Sequence, residues 1–254
     1  GFTGNVTVAI GANPGSGTLA GTTTVAAVAG IATFSALSIN KVGTGYTLAA
    51  AATGLSGTTS GVFNIMPGTA VQLVFAVPPT NTTAGASFAP AVQVAAQDGL
   101  GNTATGFAGP ATVAIGTNPS GGTLSGGTTV AAVAGVATFS TLTIDNSGTG
   151  YTLQATSGAL TAGASTAFEV APSTGIQLVF TGQPTTTTAG ATINSPVEVT
   201  ARDAQGNAAT AFTGKGTIAI GTNPNGGTPS GTTTVAAVPG VGSFLTLRID
   251  TSRA

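Results

Sequence analysis

The stretch Thr7-Val-Ala-Ile-Gly11 returns as Thr112-Val-Ala-Ile-Gly116 and again as Thr217-Ile-Ala-Ile-Gly221, at a spacing of 105 residues. Working outward, TTVAAVAG at Thr23–Gly30 recurs identically at Thr128–Gly135 and as TTVAAVPG at Thr233–Gly240. GTGYTL at Gly43–Leu48 recurs at Gly148–Leu153, and QLVF at Gln72–Phe75 recurs at Gln177–Phe180. Phe2, Phe107 and Phe212 keep the same register. A period this long is one domain, because solenoid repeats run to ~20–50 residues. The 254 residues therefore divide into three expected copies. Residues 1–67 form a copy lacking its first strands, 68–172 a complete copy, and 173–254 a copy lacking its last strands. The chain reads as a window on a longer array. Isolated, its end copies are expected to expose apolar core, to be covered either by further chain or by strands donated from a neighbour.

The expected secondary structure is strand throughout. Thr, Ala, Gly and Val dominate, and no run has apolar residues at three-and-four spacing. Alternating runs bounded by Gly, Pro, Asn and Asp mark seven strands in the middle copy: 71–77, 91–97, 111–116, 128–133, 136–144, 151–156 and 165–170. Seven short strands in about 100 residues fit an immunoglobulin-like sandwich. Ala29-Gly30, Ala134-Gly135 and Pro239-Gly240 are expected to be type II turns, with Pro suited to the second position and Gly to the third. Phe139, Leu142 and Ile144 recur as Phe34, Leu37, Ile39 and as Phe244, Leu247, Ile249. Residues three apart face opposite sides of a regular strand. Either a bulge turns all three inward, or the Phe faces away.

Three further motifs sit between the strands. Asp98-Gly-Leu-Gly-Asn102 and Asp203-Ala-Gln-Gly-Asn207 read as turns in which Asp and Asn bond their own backbone and Gly takes the left-handed conformation. A weak cation site is the alternative, although one carboxylate per loop is far short of the six to eight oxygens calcium takes. Tyr46 and Tyr151, the only tyrosines, each follow Gly-Thr-Gly. A Tyr there suits a corner whose hydroxyl bonds nearby backbone; sugar stacking is the alternative. Glycine-rich stretches such as Gly116–Thr123 lack the Lys-Ser/Thr ending of a phosphate loop and read as long turns.

The sequence offers little to chemistry. It has no His and no Cys, which removes His-based triads, thiol dyads and the usual zinc ligands. Its acids stand one per position: Asp98 matches Asp203, Asp145 matches Asp250, and Glu169 and Glu198 fall in different copies. Glu198 and Arg202, four apart on a strand, are expected to form a solvated pair. No catalytic, cofactor-binding or metal-binding residue is assigned, and an enzyme is not expected. Charged residues make up 4% of the chain, against ~25% in an ordinary soluble domain. Five basic residues (Lys41, Arg202, Lys215, Arg248 and Arg253) and few aromatics give no footprint for nucleic acid. No stretch approaches the ~20 apolar residues of a membrane helix. Thr makes up nearly a fifth of the chain, which suits strands and also offers sites for O-linked sugar. Asn5-Val-Thr7 and Asn81-Thr-Thr83 match the N-glycosylation pattern.

Together, the D-x-x-G-N turn, the G-[IV]-A-T-F-S-x-L-[ST]-I strand and the G-T-G-Y-T-L strand resemble bacterial immunoglobulin-like repeats of large surface and secreted proteins, including adhesins. The resemblance covers nearly the whole chain. It implies a stalk, spacer or matrix fibre whose function lies in the number of its copies. The chain departs from acidic, calcium-rigidified adhesin repeats, because it lacks their many aspartates. The expected function is a non-enzymatic segment of an extracellular filament, sheath or surface layer, partnered by neighbouring copies of itself. An adhesin stalk whose binding tip lies elsewhere is the alternative, and a carbohydrate-binding module is disfavoured by the missing aromatic platform.

Overall fold

The computed structural model describes residues 1–250; Arg253 and the last four positions of the third copy lie outside them. The fold is all-β. Strands are the only regular elements among the described residues, and they assemble into several sheets. Nearly every run that alternates in sequence alternates in burial. In Pro110–Ile115, for example, Ala111 and Val113 are buried while Thr112 and Ala114 face solvent.

The middle copy holds the largest core. One sheet pairs Gln72–Val77 with Val92–Gln97, and Val92–Gln97 with Val136–Phe139, all antiparallel. A second runs Thr129–Ala131, Pro110–Ile115, Leu153–Thr156, Gly163–Ala164. A third joins Gly148–Tyr151 to Phe168–Ala171, which also pairs in parallel with Thr82–Thr83. Val92, Val94, Val113, Phe139, Leu142, Ile144, Tyr151, Leu153 and Val170 meet between them, all under 3% exposed. Phe88 and Tyr151 flank Phe168, edge-on at 5.3 Å and stacked at 6.0 Å.

Several expectations need correction. The middle copy has twelve extended segments where seven strands were expected. The expected strand 136–144 breaks in two. Val136–Phe139 pairs with Val92–Gln97, whereas Thr143–Ile144 pairs with Leu124–Ser125 in a different sheet. Phe139, Leu142 and Ile144 are all buried because the chain changes sheets between them, with exposed Ser140 and Thr141 at the crossing. Neither a simple bulge nor an outward Phe is needed. The expected strand 151–156 is likewise shared, since Tyr151 ends one strand and Leu153 starts another.

The two-residue hairpin turns are also of a different type. Ala29 and Gly30 have φ of 52° and 88°, and Ala134 and Gly135 have 49° and 82°. Two successive positive values make a type I′ turn, whose twist matches that of the flanking strands. Val133 and Val136 exchange both backbone bonds across it, at 2.9 and 3.0 Å. Pro239 cannot take positive φ, so the third copy keeps it only at Gly240 (φ 77°), the type II pattern.

The end copies bury less. In the third, Leu178 is 58% and Ile249 41% exposed, while their counterparts Leu73 and Ile144 are 3% and 0% exposed. Strands Gly148–Tyr151 and Phe168–Ala171, which cover that side in the middle copy, have no counterpart among the described residues of the third.

Ala134 holds a conformation that costs an L-residue with a Cβ roughly 1–2 kcal/mol. Asn tolerates it better and is favoured before Gly in type I′ turns. Ala134→Asn is therefore expected to stabilise the chain by about 1 kcal/mol, read as a higher urea midpoint in equilibrium unfolding.

A candidate functional site at the joints between copies

Each joint is built on one buried aspartate. Val92–Gln97 ends at Asp98, and the chain then turns through Gly99, Leu100 and Gly101. Gly101, at φ 77°, supplies the left-handed step the turn requires. The turn folds Leu100 and Asn102 back so that both N–H groups donate to Asp98 Oδ1, each at 2.9 Å. Asp98 Oδ2 accepts the N–H of Gly68, also at 2.9 Å, in the short segment linking the first copy to the second. One carboxylate thus gathers its own loop and the incoming linker.

Asn102 carries the contact across the joint. Its Nδ2 donates to both Asp98 oxygens, at 3.3 and 3.1 Å, and to the carbonyl of Asn40 at 3.1 Å. Its Oδ1 accepts the N–H of Val42 at 3.3 Å. Asn40 and Val42 belong to the first copy and lie just before the strand Gly43–Tyr46.

The same arrangement recurs at the second joint. Asp203 Oδ2 accepts from Ser173 at 2.9 Å, and Oδ1 accepts from Gln205 at 3.0 Å and Asn207 at 2.8 Å. Asn207 Nδ2 donates to the carbonyl of Asp145 at 2.8 Å, and Ser147 N–H donates to Asn207 Oδ1 at 2.9 Å. Beside each joint lies an apolar hollow, lined by Pro67, Ala104 and Phe107 at the first and by Pro172, Ala209 and Phe212 at the second.

The electrostatics follow from this geometry. Burial by itself pushes the Asp98 carboxyl up. The N–H donors of Asn102, Gly68 and Leu100, with the Asn102 amide, outweigh it and lower the pKa from 3.8 to about 2. Asp203, wholly buried, is lowered in the same way: burial acts against ionisation, and the donors of Ser173, Asn207 and Gln205 prevail.

The turn reading of the D-x-x-G-N motif describes the loop's internal bonds, but the bridge to the preceding copy went unread. Its one signal in the sequence is Asn at both 102 and 207. The cation alternative meets carboxylate oxygens already committed to N–H donors, which a metal would have to displace. Among the described residues, no three His, Cys, Asp or Glu side chains gather.

The other singled-out residues lie apart. Tyr46 and Tyr151 are fully buried, so neither offers a stacking face. Their hydroxyls donate to the carbonyls of Lys41 and Asn146, both at 2.9 Å. Gly122 makes room for one of them, since a Cβ there would come within 2.7 Å of the Tyr151 hydroxyl. In the long turns, Asn13, Asn118 and Asn223 each bridge both backbone groups of the glycine four residues on. The expected pairing of Glu198 with Arg202 gives way to separate bonds: Arg202 donates to the Gly206 carbonyl, and Glu198 accepts from Ser243. Asn81 of the second glycosylation pattern uses its Oδ1 to accept the Glu169 N–H at 2.9 Å. No described helix is long and apolar enough to cross a membrane. The chain matches no protein-family model, and no curated protein is significantly similar to it.

Two expectations follow. An aspartate whose pKa is lower folded than unfolded stabilises the fold above its unfolded value and ceases to do so as pH falls through the folded one. For Asp98 that window runs from 3.8 down to about 2. Melting temperatures should fall across it, and Asp98→Asn with Asp203→Asn should flatten that part of the profile. Melts in chelator and in millimolar calcium should coincide; a calcium-dependent rise would mean that these carboxylates leave their N–H partners for an ion.

Proposed function

We propose that the chain is a non-enzymatic structural segment of an extracellular filament, sheath or surface layer, built from tandem immunoglobulin-like sandwiches 105 residues apart. The copies are 1–67, 68–172 and 173–254, as read from the repeat. The observation that carries this reading is the paired joint: Asp98 with Asn102, and Asp203 with Asn207, hold the preceding copy by the same set of bonds. A protein whose function is to set distance and direction needs neighbouring copies fixed to one another. A protein whose copies act independently does not.

The scarcity of charge supports the same reading. With 4% charged residues, the surface has little electrostatic repulsion to keep copies of the chain apart. Such a surface suits a chain packed among its own kind or coated with sugar on its many threonines. The resemblance to bacterial immunoglobulin-like repeats agrees with a place outside the cell, where such arrays serve as fibres and stalks.

Electron microscopy of the native material tests the proposal. An ordered lateral or helical assembly is expected. Isolated thin rods would shift the reading to an adhesin stalk, and separate globular particles would overturn both.

A further inference from the structure

The Tyr corner and the Asn bridge meet on one loop. At the second joint three successive residues present three backbone groups. The carbonyl of Asp145 accepts from Asn207 Nδ2, the carbonyl of Asn146 accepts from the Tyr151 hydroxyl, and the N–H of Ser147 donates to Asn207 Oδ1. At the first joint Asn40, Lys41 and Val42 do the same with Asn102 and Tyr46. The Tyr hydroxyl holds the middle carbonyl inward. Its two neighbours then present a C=O and an N–H to the next copy. A carboxamide sets a donor and an acceptor side by side, so it pairs with that couple as a strand would, and its second N–H is left for the carboxylate.

The side chains of the receiving loop point elsewhere. Asn40 Oδ1 accepts the N–H of Thr18 at 2.8 Å, and Asp145 Oδ1 that of Thr123 at 2.6 Å, both within their own copies. Asn146 Nδ2 donates to the carbonyls of Ser120 and Gly121. Lys41 reaches across, its Nζ an exposed 3.5 Å from the Leu100 carbonyl, the outer limit of a hydrogen bond. The two receiving sequences, Asn-Lys-Val and Asp-Asn-Ser, share no residue, yet they receive the same amide.

We propose that the loop before each Gly-Thr-Gly-Tyr strand is a socket, held open by the Tyr hydroxyl and read through backbone alone, whose partner is the Asn of the D-x-x-G-N loop of any other copy of the repeat. Copies are then interchangeable: joining two of them needs no matched pair of side chains. Tyr46 and Tyr151 are positioning residues for the joint as well as parts of the core.

The proposal rests on the reading of the chain as stiffly joined copies, and one experiment on the full chain separates the two. The sequence has no cysteine, so spin labels placed by Ala26→Cys with Ala131→Cys, or Ala131→Cys with Ala236→Cys, report one joint each from exposed strand positions. The unmodified joints should each give a single narrow distance; broad distributions there would defeat the stiff-array reading itself. Asn207→Ala should cost the second joint its narrow peak and leave the first unchanged, and Tyr151→Phe should loosen the second joint in the same direction. Asn40→Asp, Lys41→Asn and Val42→Ser together write the second socket's sequence into the first, and the first joint should keep its narrow peak. A narrow second joint in Asn207→Ala, or a broadened first joint in the triple variant, overturns the socket. Melting curves of each variant identify any broadening that comes from unfolding of a copy.

Discussion

Each joint depends on a carboxylate that has left water and is surrounded by N–H groups. An ionised carboxylate out of water is costly unless every lone pair finds a donor. Asp98 meets that demand with three backbone N–H groups and the Asn102 amide, and Asp203 with the corresponding four donors. The requirement acts as a geometric constraint. The loop must turn back to bring the residues two and four positions on, and the linker must pass close enough for Gly68 or Ser173 to donate. Charge-assisted bonds are the stronger kind, and two of the six acids this chain has are placed where they tie the linker to the following copy.

From that anchor the bridge to the preceding copy is an uncharged amide. Asn102 and Asn207 are oriented by the carboxylate through Nδ2, which leaves the amide facing the preceding copy. Gln would carry the amide one methylene farther out. Asp would set an acceptor against the carbonyl of Asn40 or Asp145 and a second negative charge beside the first. Asn alone has the reach, the donor and the acceptor.

Much of the fold was legible in the sequence. Thr112 and Ala114 alternate with Ala111 and Val113, and strands follow from that alternation alone. The corner at Tyr151 was legible because a Tyr after Gly-Thr-Gly has one useful place to put its hydroxyl. The crossing at Ser140 and Thr141 was not. Alternation reports which residues are buried but not between which sheets, and Phe139 and Ile144 lie inside one core while belonging to different sheets. The Ala134-Gly135 turn is not type II, although Pro239 at the equivalent position suits that type. Strand twist favours type I′ strongly enough to hold an alanine at positive φ wherever Pro does not forbid it. The bridge from Asn102 to Asn40 spans 62 residues, and its one mark in the sequence is the Asn that returns at 207.

The same bonding shows how neighbouring copies are tied together with so little charge. A shared calcium ion would need six to eight oxygens at each joint, more than one carboxylate per loop supplies. Salt bridges would fix them through exposed pairs that salt screens and whose median worth is about 0–1 kcal/mol. Here the contact between copies is an amide bonded to backbone, oriented by a carboxylate whose charge is stabilised by N–H groups. The amide itself carries no charge for salt to screen. The contact is made to backbone groups of the receiving loop, and the same groups are bonded at both joints although Lys41 stands at one and Asn146 at the other.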